Sequence, residues 1–398
     1  MSQSNCITPV DSANDHLVNA IKLLLYKNDS EIFEKMDFDN DEIYTSPLLF
    51  AYFNNKSNNH TTLDSILIGY YNEIKKADII SDEFGRIYVS KIGWIQTTSR
   101  NQVFSFDKEK MILKKDNKQI EFDIEDFEFI KNTNIEILKY SIPLFKQCYY
   151  NTNNQLIEIE IEKITKKHIP TITKAYSLIK EYIPEQYNLI EKYCPKCVIF
   201  NVDTYQRNSF AHMAAQGVSF HNAYQEEYDE VFFIDDIAHQ SGHVIFNAMI
   251  YESNLYFKVD KHTILEVLQL PEVDYIEKRD LFTIYHALYT YYTSFICLDA
   301  CLEKDAFNAI QKHEAMGRIA FYINKCCRDL LIIDNKIESN ENAKIYFTED
   351  GLEIYMQLKS KWIEMYKKWN SSVKHFDMDN QPYNFTYSSF LELNPIVT

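Results

Sequence analysis

Apolar residues recur three and four positions apart at Leu17, Ile21, Leu24 and Leu25, and again at Leu63, Ile66, Leu67 and Tyr70, so residues 13–80 read as mainly helical. The polar cluster at 54–59 interrupts them as a loop. The period then drops to two, in Arg86-Ile-Tyr-Val-Ser90 and Gln102-Val-Phe-Ser-Phe106, with Lys115-Asp-Asn-Lys118 as a turn. That alternation predicts an antiparallel sheet between residue 85 and about residue 130. Thr152-Asn-Asn154 marks a boundary between a helix-plus-sheet region, 1–150, and a second part, 151–398. In the second part, 156–162 reads as a strand, 171–193 as helix and 197–202 as an apolar strand. Long helices follow over 230–251, 280–302 and 308–332, and a last one runs from Thr348 through Trp362 and Trp369, ahead of an irregular tail after Asp377. The expected fold class is α+β, mainly helical, with a helical C-terminal part. There is no internal repeat and no low-complexity block.

The helix over 230–251 carries His239-Gln-Ser-Gly-His243. Histidines four apart share one face of a helix and can grip one metal ion. In a zinc peptidase the residue after the first histidine is a glutamate that activates the metal-bound water; here it is Gln240, whose amide cannot take a proton at pH 7. The pair therefore looks built to hold a metal without making it hydrolytic.

Composition narrows the classes. With 398 residues, 46% of them hydrophobic and 15% aromatic, the chain can bury a large core. A net charge of −17 argues against a nucleic acid partner. The eight cysteines lie scattered in apolar surroundings, as expected in a reducing cytoplasm, and no segment reads as an export signal or a bilayer span. Only seven glycines occur, none placed to write a phosphate-binding loop.

Two imidazoles do not complete a site. His286, on the 280–302 helix, is the first choice for the third ligand; Glu252, Asp235 or Glu277 would instead give a two-histidine, one-carboxylate triad. Arg279 lies seven residues before His286, which on one helix returns to nearly the same face about two turns, roughly 10 Å, away. That spacing suits a small dicarboxylate, one end on the metal and the other on the guanidinium; Arg318 is the competing cation. Elsewhere, Cys194-Pro-Lys-Cys197 has knuckle spacing but no second pair follows, so it reads as a structural turn. His212 and His221, in the segment 211–222, either approach the site from the preceding strand and loop or are exposed loop residues, the second being the plainer reading. Tyr285, Tyr289, Tyr291, Tyr292 and Phe295 would line a pocket if their helix faces the metal, though core packing is the plainer reading. The acidic run 225–230 reads as a solvated helix start.

The ordered set Ala175-Tyr-Ser-Leu-Ile-Lys-Glu-Tyr-Ile-Pro-Glu-Gln186, Cys197-Val-Ile-Phe200, Phe233-Ile-Asp-Asp-Ile-Ala-His-Gln-Ser-Gly-His243 and Arg279-Asp-Leu-Phe-Thr-Ile-Tyr-His-Ala-Leu-Tyr289 resembles the HExxH-motif peptide-modification family. Those proteins are 2-oxoglutarate-dependent β-hydroxylases of ribosomally made peptides. The likeness spans roughly 166–368 and departs from the motif at Gln240. It implies His239, His243 and His286 as Fe(II) ligands, 2-oxoglutarate and O2 as cosubstrates, and a precursor peptide as partner. Assigning 2-oxoglutarate to Arg279 is a further step, taken from its place upstream of the third histidine. The alternatives are a zinc hydrolase and a non-catalytic peptide-binding protein with a residual metal site.

Overall fold

The computed structural model describes residues 6–7, 12–55, 61–151, 153–225, 228–270 and 275–396, with the side chains of Ser12, 268–270 and 275–277 outside the description. Most of the loop expected at 54–59 therefore lies outside it, as does Thr152. The protein is α+β and mainly helical, and its contacts divide it into two compact units. One comprises Asp11–Ile169 and Glu191–Glu226; the other comprises Met1–Val10, Pro170–Ile190 and Glu227–Thr398. The division does not follow the expected boundary near 152: it falls inside the helix Glu162–Tyr182, at Pro170.

The first unit carries the β structure. Lys76–Ile80, Val103–Asp107, Ile112–Lys115 and Lys118–Ile120 form a four-stranded antiparallel sheet. Its tightest turn uses Asp116 and Asn117 at φ 49° and 61°, the left-handed pair that a two-residue hairpin requires. Arg86–Val89, Gly93–Gln96 and Asp123–Glu125 form a second antiparallel sheet. A third, mixed sheet centres on Lys196–Phe200, which runs parallel to both Val218–Asn222 and Glu136–Ile137. The strand expected over 156–162 is not formed. The isoleucine–glutamate alternation there finds only the single bridges Tyr150↔Leu156 and Glu160↔Asn201, and of its three isoleucines only Ile161 is fully buried.

The second unit is a stack of long helices, Glu230–Met249, Leu281–Glu303, Ala309–Asp334 and Glu349–Val373, each starting where a short polar side chain can satisfy a free N–H. Asp229 accepts from Val231 N at 2.8 Å, Asp280 from Thr283 N at 2.7 Å, and Asn308 makes a reciprocal cap with Gln311. The first two helices approach unusually closely at Gly242, where a Cβ would lie 2.6 Å from Thr293 Oγ1 and 3.4 Å from Thr290 Cα. A hairpin of Ile264–Leu270 and Tyr275–Asp280 precedes the second helix. The tail is not wholly irregular: Tyr387–Leu393 is helical, and Phe385 and Phe390 press on the bare backbone of Gly317. No helix among the described residues is long and apolar enough to cross a membrane.

Candidate metal centre

Because Gly242 lets the two helices meet, His243 and His286, 43 residues apart in sequence, come into direct contact, with Nδ1 of His243 2.8 Å from Nε2 of His286. Their rings stand perpendicular, 4.3 Å between centroids. His239, one turn earlier, lies 4.9 Å from the His243 ring. Phe246 stacks on His286 at 4.9 Å, and Phe282 meets it edge-on at 5.3 Å. Tyr322 lies nearly parallel to His239 at 6.1 Å and Tyr291 lies 6.2 Å from it, with the two tyrosine rings 5.5 Å apart.

The three rings keep some exposed surface while protein surrounds them. Burial depresses the basicity of all three, His286 to about 3, with mutual repulsion adding to the effect at His243. They are neutral imidazoles at pH 7, the form that binds metals. Adjacent donors on an ion with metal–nitrogen bonds of roughly 2.0–2.1 Å stand roughly 3 Å apart, so the His243–His286 contact matches one edge of a coordination shell. His239 Nδ1 is buried without a hydrogen-bond partner. Among the described residues, however, no three His, Cys, Asp or Glu groups are assembled to hold an ion. The donor chemistry fits a metal; the third donor is beside the pair and not yet turned onto it.

Gln240 faces elsewhere. Its Nε2 donates to Asp236 Oδ1 at 3.2 Å, one turn back along the helix, and its Oε1 is buried without a hydrogen-bond partner. Arg279 corrects the helical argument made for it: it lies on the strand Tyr275–Asp280, outside the helix of His286, because Asp280 caps that helix. Its guanidinium grips Asp329 through two bonds of 2.7 and 2.8 Å and reaches Glu266 at 3.3 Å. Arg318 is fully buried and holds Asp235 Oδ2 at 2.7 Å and Glu314 Oε1 at 2.7 and 2.9 Å, while Tyr322 donates to the same Asp235 oxygen at 3.0 Å. Burial works against both guanidinium charges, but the paired carboxylates outweigh it and hold each arginine above its ordinary value. Arg318 thus adjoins His239 through Tyr322, whose ring also meets that of Tyr291 at 5.5 Å.

Of the carboxylates considered as third ligand, Asp235 is committed to Arg318 and Tyr322, Glu252 precedes the short turn Ser253–Leu255, and the Glu277 side chain lies outside the described residues. Among the tyrosines of the second helix, Tyr285 donates to Gly351 O, Tyr289 to Ile7 O, and Tyr292 accepts from Ile7 N, so they tie the core together, while Tyr291 reaches His239. His221, fully buried in a strand beside Ser219, is not an exposed loop residue, whereas His212 sits in a loop, partly exposed, with Nδ1 accepting from Ala214 N ahead of a short turn. The residues sequence reasoning missed are Tyr322, Asp329 and Glu314. Only Glu314, four before Arg318, had a spacing that could have drawn attention.

Compared with known protein families and with curated proteins, the chain matches none.

Proposed function

We propose that His239, His243 and His286 are the ligands of a mononuclear Fe(II) centre in a 2-oxoglutarate-dependent oxygenase that hydroxylates a side-chain β-carbon of a ribosomally made peptide, with residues 1–150 contributing to peptide recognition. The observation that carries the reading is three neutral, half-buried imidazoles drawn together from two helices. Iron with 2-oxoglutarate and O2 would supply the oxidising power. The chain's own part is to bind and orient: His239 turns onto the His243–His286 edge, Phe246 and Phe282 fix the plane of His286, and Tyr291 and Tyr322 limit water beside His239. Arg279 is the residue we assign to the far carboxylate of 2-oxoglutarate, which would exchange for Asp329 on the guanidinium. Gln240, turned towards Asp236, takes no part in proton transfer.

The test is anaerobic reconstitution with Fe(II) and titration with 2-oxoglutarate, following the weak visible metal-to-ligand charge-transfer band. We expect a band in the wild type, none in His286→Ala, and a raised 2-oxoglutarate requirement in Arg279→Ala. An unchanged requirement would move the assignment to Arg318, and a band that survives His286→Ala would remove that ligand.

A non-catalytic peptide-binding protein is the second reading, favoured by one observation: the two histidines already bond to each other and both arginines are already paired. A metal-free preparation that folds and binds a peptide as well as the loaded one would support it. The zinc hydrolase is weaker, since its base would be Glu252, which lies past the end of the histidine helix, while Asp235 Oδ2 is held by Arg318 and Tyr322; chelator-sensitive cleavage of a generic peptide would revive it.

A further inference from the structure

The β-rich unit contains a cavity of about 60 Å3. Its walls are apolar side chains shielded from solvent, among them Leu48, Ile66, Ile79, Ile87 and Ile142. Polar groups interrupt those walls, and two of them, on Trp94 and Arg86, could engage a guest. Trp94 is 1% exposed, and its Nε1–H is buried with no acceptor. The other two tryptophans satisfy theirs, Trp362 on Ile323 O at 3.0 Å and Trp369 on Asp299 Oδ1 at 2.7 Å. Trp94 is not free to turn towards an acceptor, because Tyr88 and Tyr140 meet its ring edge-on at 5.1 and 5.0 Å.

The second group is Arg86, whose guanidinium lies 3.9 Å above the Tyr140 ring. It donates through Nη2 to Glu162 Oε2 at 2.6 Å, and the Glu162 side chain is 53% exposed. A salt bridge to so exposed a partner is worth little and exchanges readily. Asp82, the carboxylate in the lining, is already occupied: its Oδ1 accepts the backbone N–H groups of Phe84 and Arg86, both at 2.8 Å. Ser65 Oγ likewise donates to Thr62 O. Within the lining, Trp94 Nε1–H is the buried donor left without an acceptor, and one oxygen of an organic guest would satisfy it.

We propose that this cavity is a binding site for a short aliphatic carboxylate, its hydrocarbon among the isoleucines, one oxygen accepting from Trp94 Nε1–H and its charge facing Arg86. The volume limits the size: an apolar cavity of about 150 Å3 accepts benzene, so this one takes a smaller body, a carboxylate of two or at most three carbons. The site is independent of the histidine cluster and of any metal.

The test uses the full chain labelled with 15N, in which the three tryptophans give three indole N–H resonances, that of Trp94 assigned by its loss in Trp94→Phe. Titration with propionate should shift the Trp94 resonance downfield and saturably while leaving those of Trp362 and Trp369 in place. Arg86→Gln, a change at a partly exposed side chain, should weaken the response at least about tenfold, and 1-propanol should produce no comparable shift. No movement of the Trp94 resonance up to tens of millimolar propionate would overturn the proposal. So would an equal response to propanol, which would mark an apolar void without carboxylate selectivity, or an undiminished response in Arg86→Gln variants shown by their melting curves to be folded.

Discussion

His221 and His239 are both enclosed by protein, in different units and in opposite company. Around His221 the polar atoms serve one another: its Nε2 lies 3.0 Å from Ser219 Oγ, and Cys194, whose thiol burial pushes up to about 12, stays protonated and points at Lys196 O. Around His239, its own Nδ1, Asp235 Oδ1 and Gln240 Oε1 are buried without hydrogen-bond partners. Each such atom costs about 1–3 kcal/mol in a folded protein, so their accumulation in one place calls for a function where satisfied polar groups do not. Cysteine and histidine content alone would have ranked the two neighbourhoods alike. Whether the polar atoms are satisfied separates them.

The contrast breaks most directly on metal binding. His239→Ala, His243→Ala and His286→Ala should each weaken Fe(II) or Zn(II) retention by more than the roughly 10- to 100-fold that loss of an outer-shell partner produces, whereas Cys194→Ala and Cys197→Ala should leave the metal content after desalting unchanged. Metal lost from the cysteine variants would reverse the assignment of the two neighbourhoods.

Next in size is the ion network. Arg318→Ala leaves Asp235 and Glu314 buried without their cation and should destabilise the fold by about 3–5 kcal/mol in chemical denaturation. Arg86→Gln, at a half-exposed pair, should change stability by less than about 1 kcal/mol. Gly242→Ala forces a methyl group against Thr293 and should cost about 1–3 kcal/mol, lowering the melting temperature and, by separating His243 from His286, the metal affinity as well.

The last contrast is the slope of stability with pH, which should have opposite signs for the two groups. Folded His239, His243 and His286 lie below their ordinary value of 6.5, His286 at about 3. Between those values the unfolded chain binds more protons, so the metal-free protein has its full stability above about pH 6.5 and loses it as pH falls, at up to about 1.4 kcal/mol per pH unit for each histidine. Cys194 is raised from 9.0 to about 12, so its contribution is intact below pH 9 and declines as pH rises above it. Melts across pH 4 to 7 that stay flat without metal would contradict the burial described for the histidines.

Much of the helical unit was legible because its helices announce themselves locally. The three-four spacing and the caps at Asp229, Asn308 and Thr348 lie within a few residues of the elements they start. The turn at Asp116 and Asn117 was legible for the same reason. The mixed sheet was not: the pairing of Lys196 with Glu136 joins residues 60 apart, and nothing local encodes it. Arg279 eludes a helical reading of its seven-residue spacing because Asp280, accepting from Thr283 N at 2.7 Å, caps the helix and leaves Arg279 on the strand before it. The histidine pair was visible from its spacing alone. Its surroundings were not, since Asp329 meets Arg279 across 50 residues and Tyr322 reaches Asp235 across 87.

The contact of the tail with Gly317 orders events in time. Phe385 lies 4.9 Å from the Arg318 guanidinium and, with Phe390, covers the backbone beside it. On a ribosome, everything as far as Asp377 can emerge while that flank of the arginine still faces water, so its pairing with Asp235 remains in a high-dielectric setting. Residues 385–390 complete the cover over that network, and they are made about 100 residues after His286 and about 140 after His243.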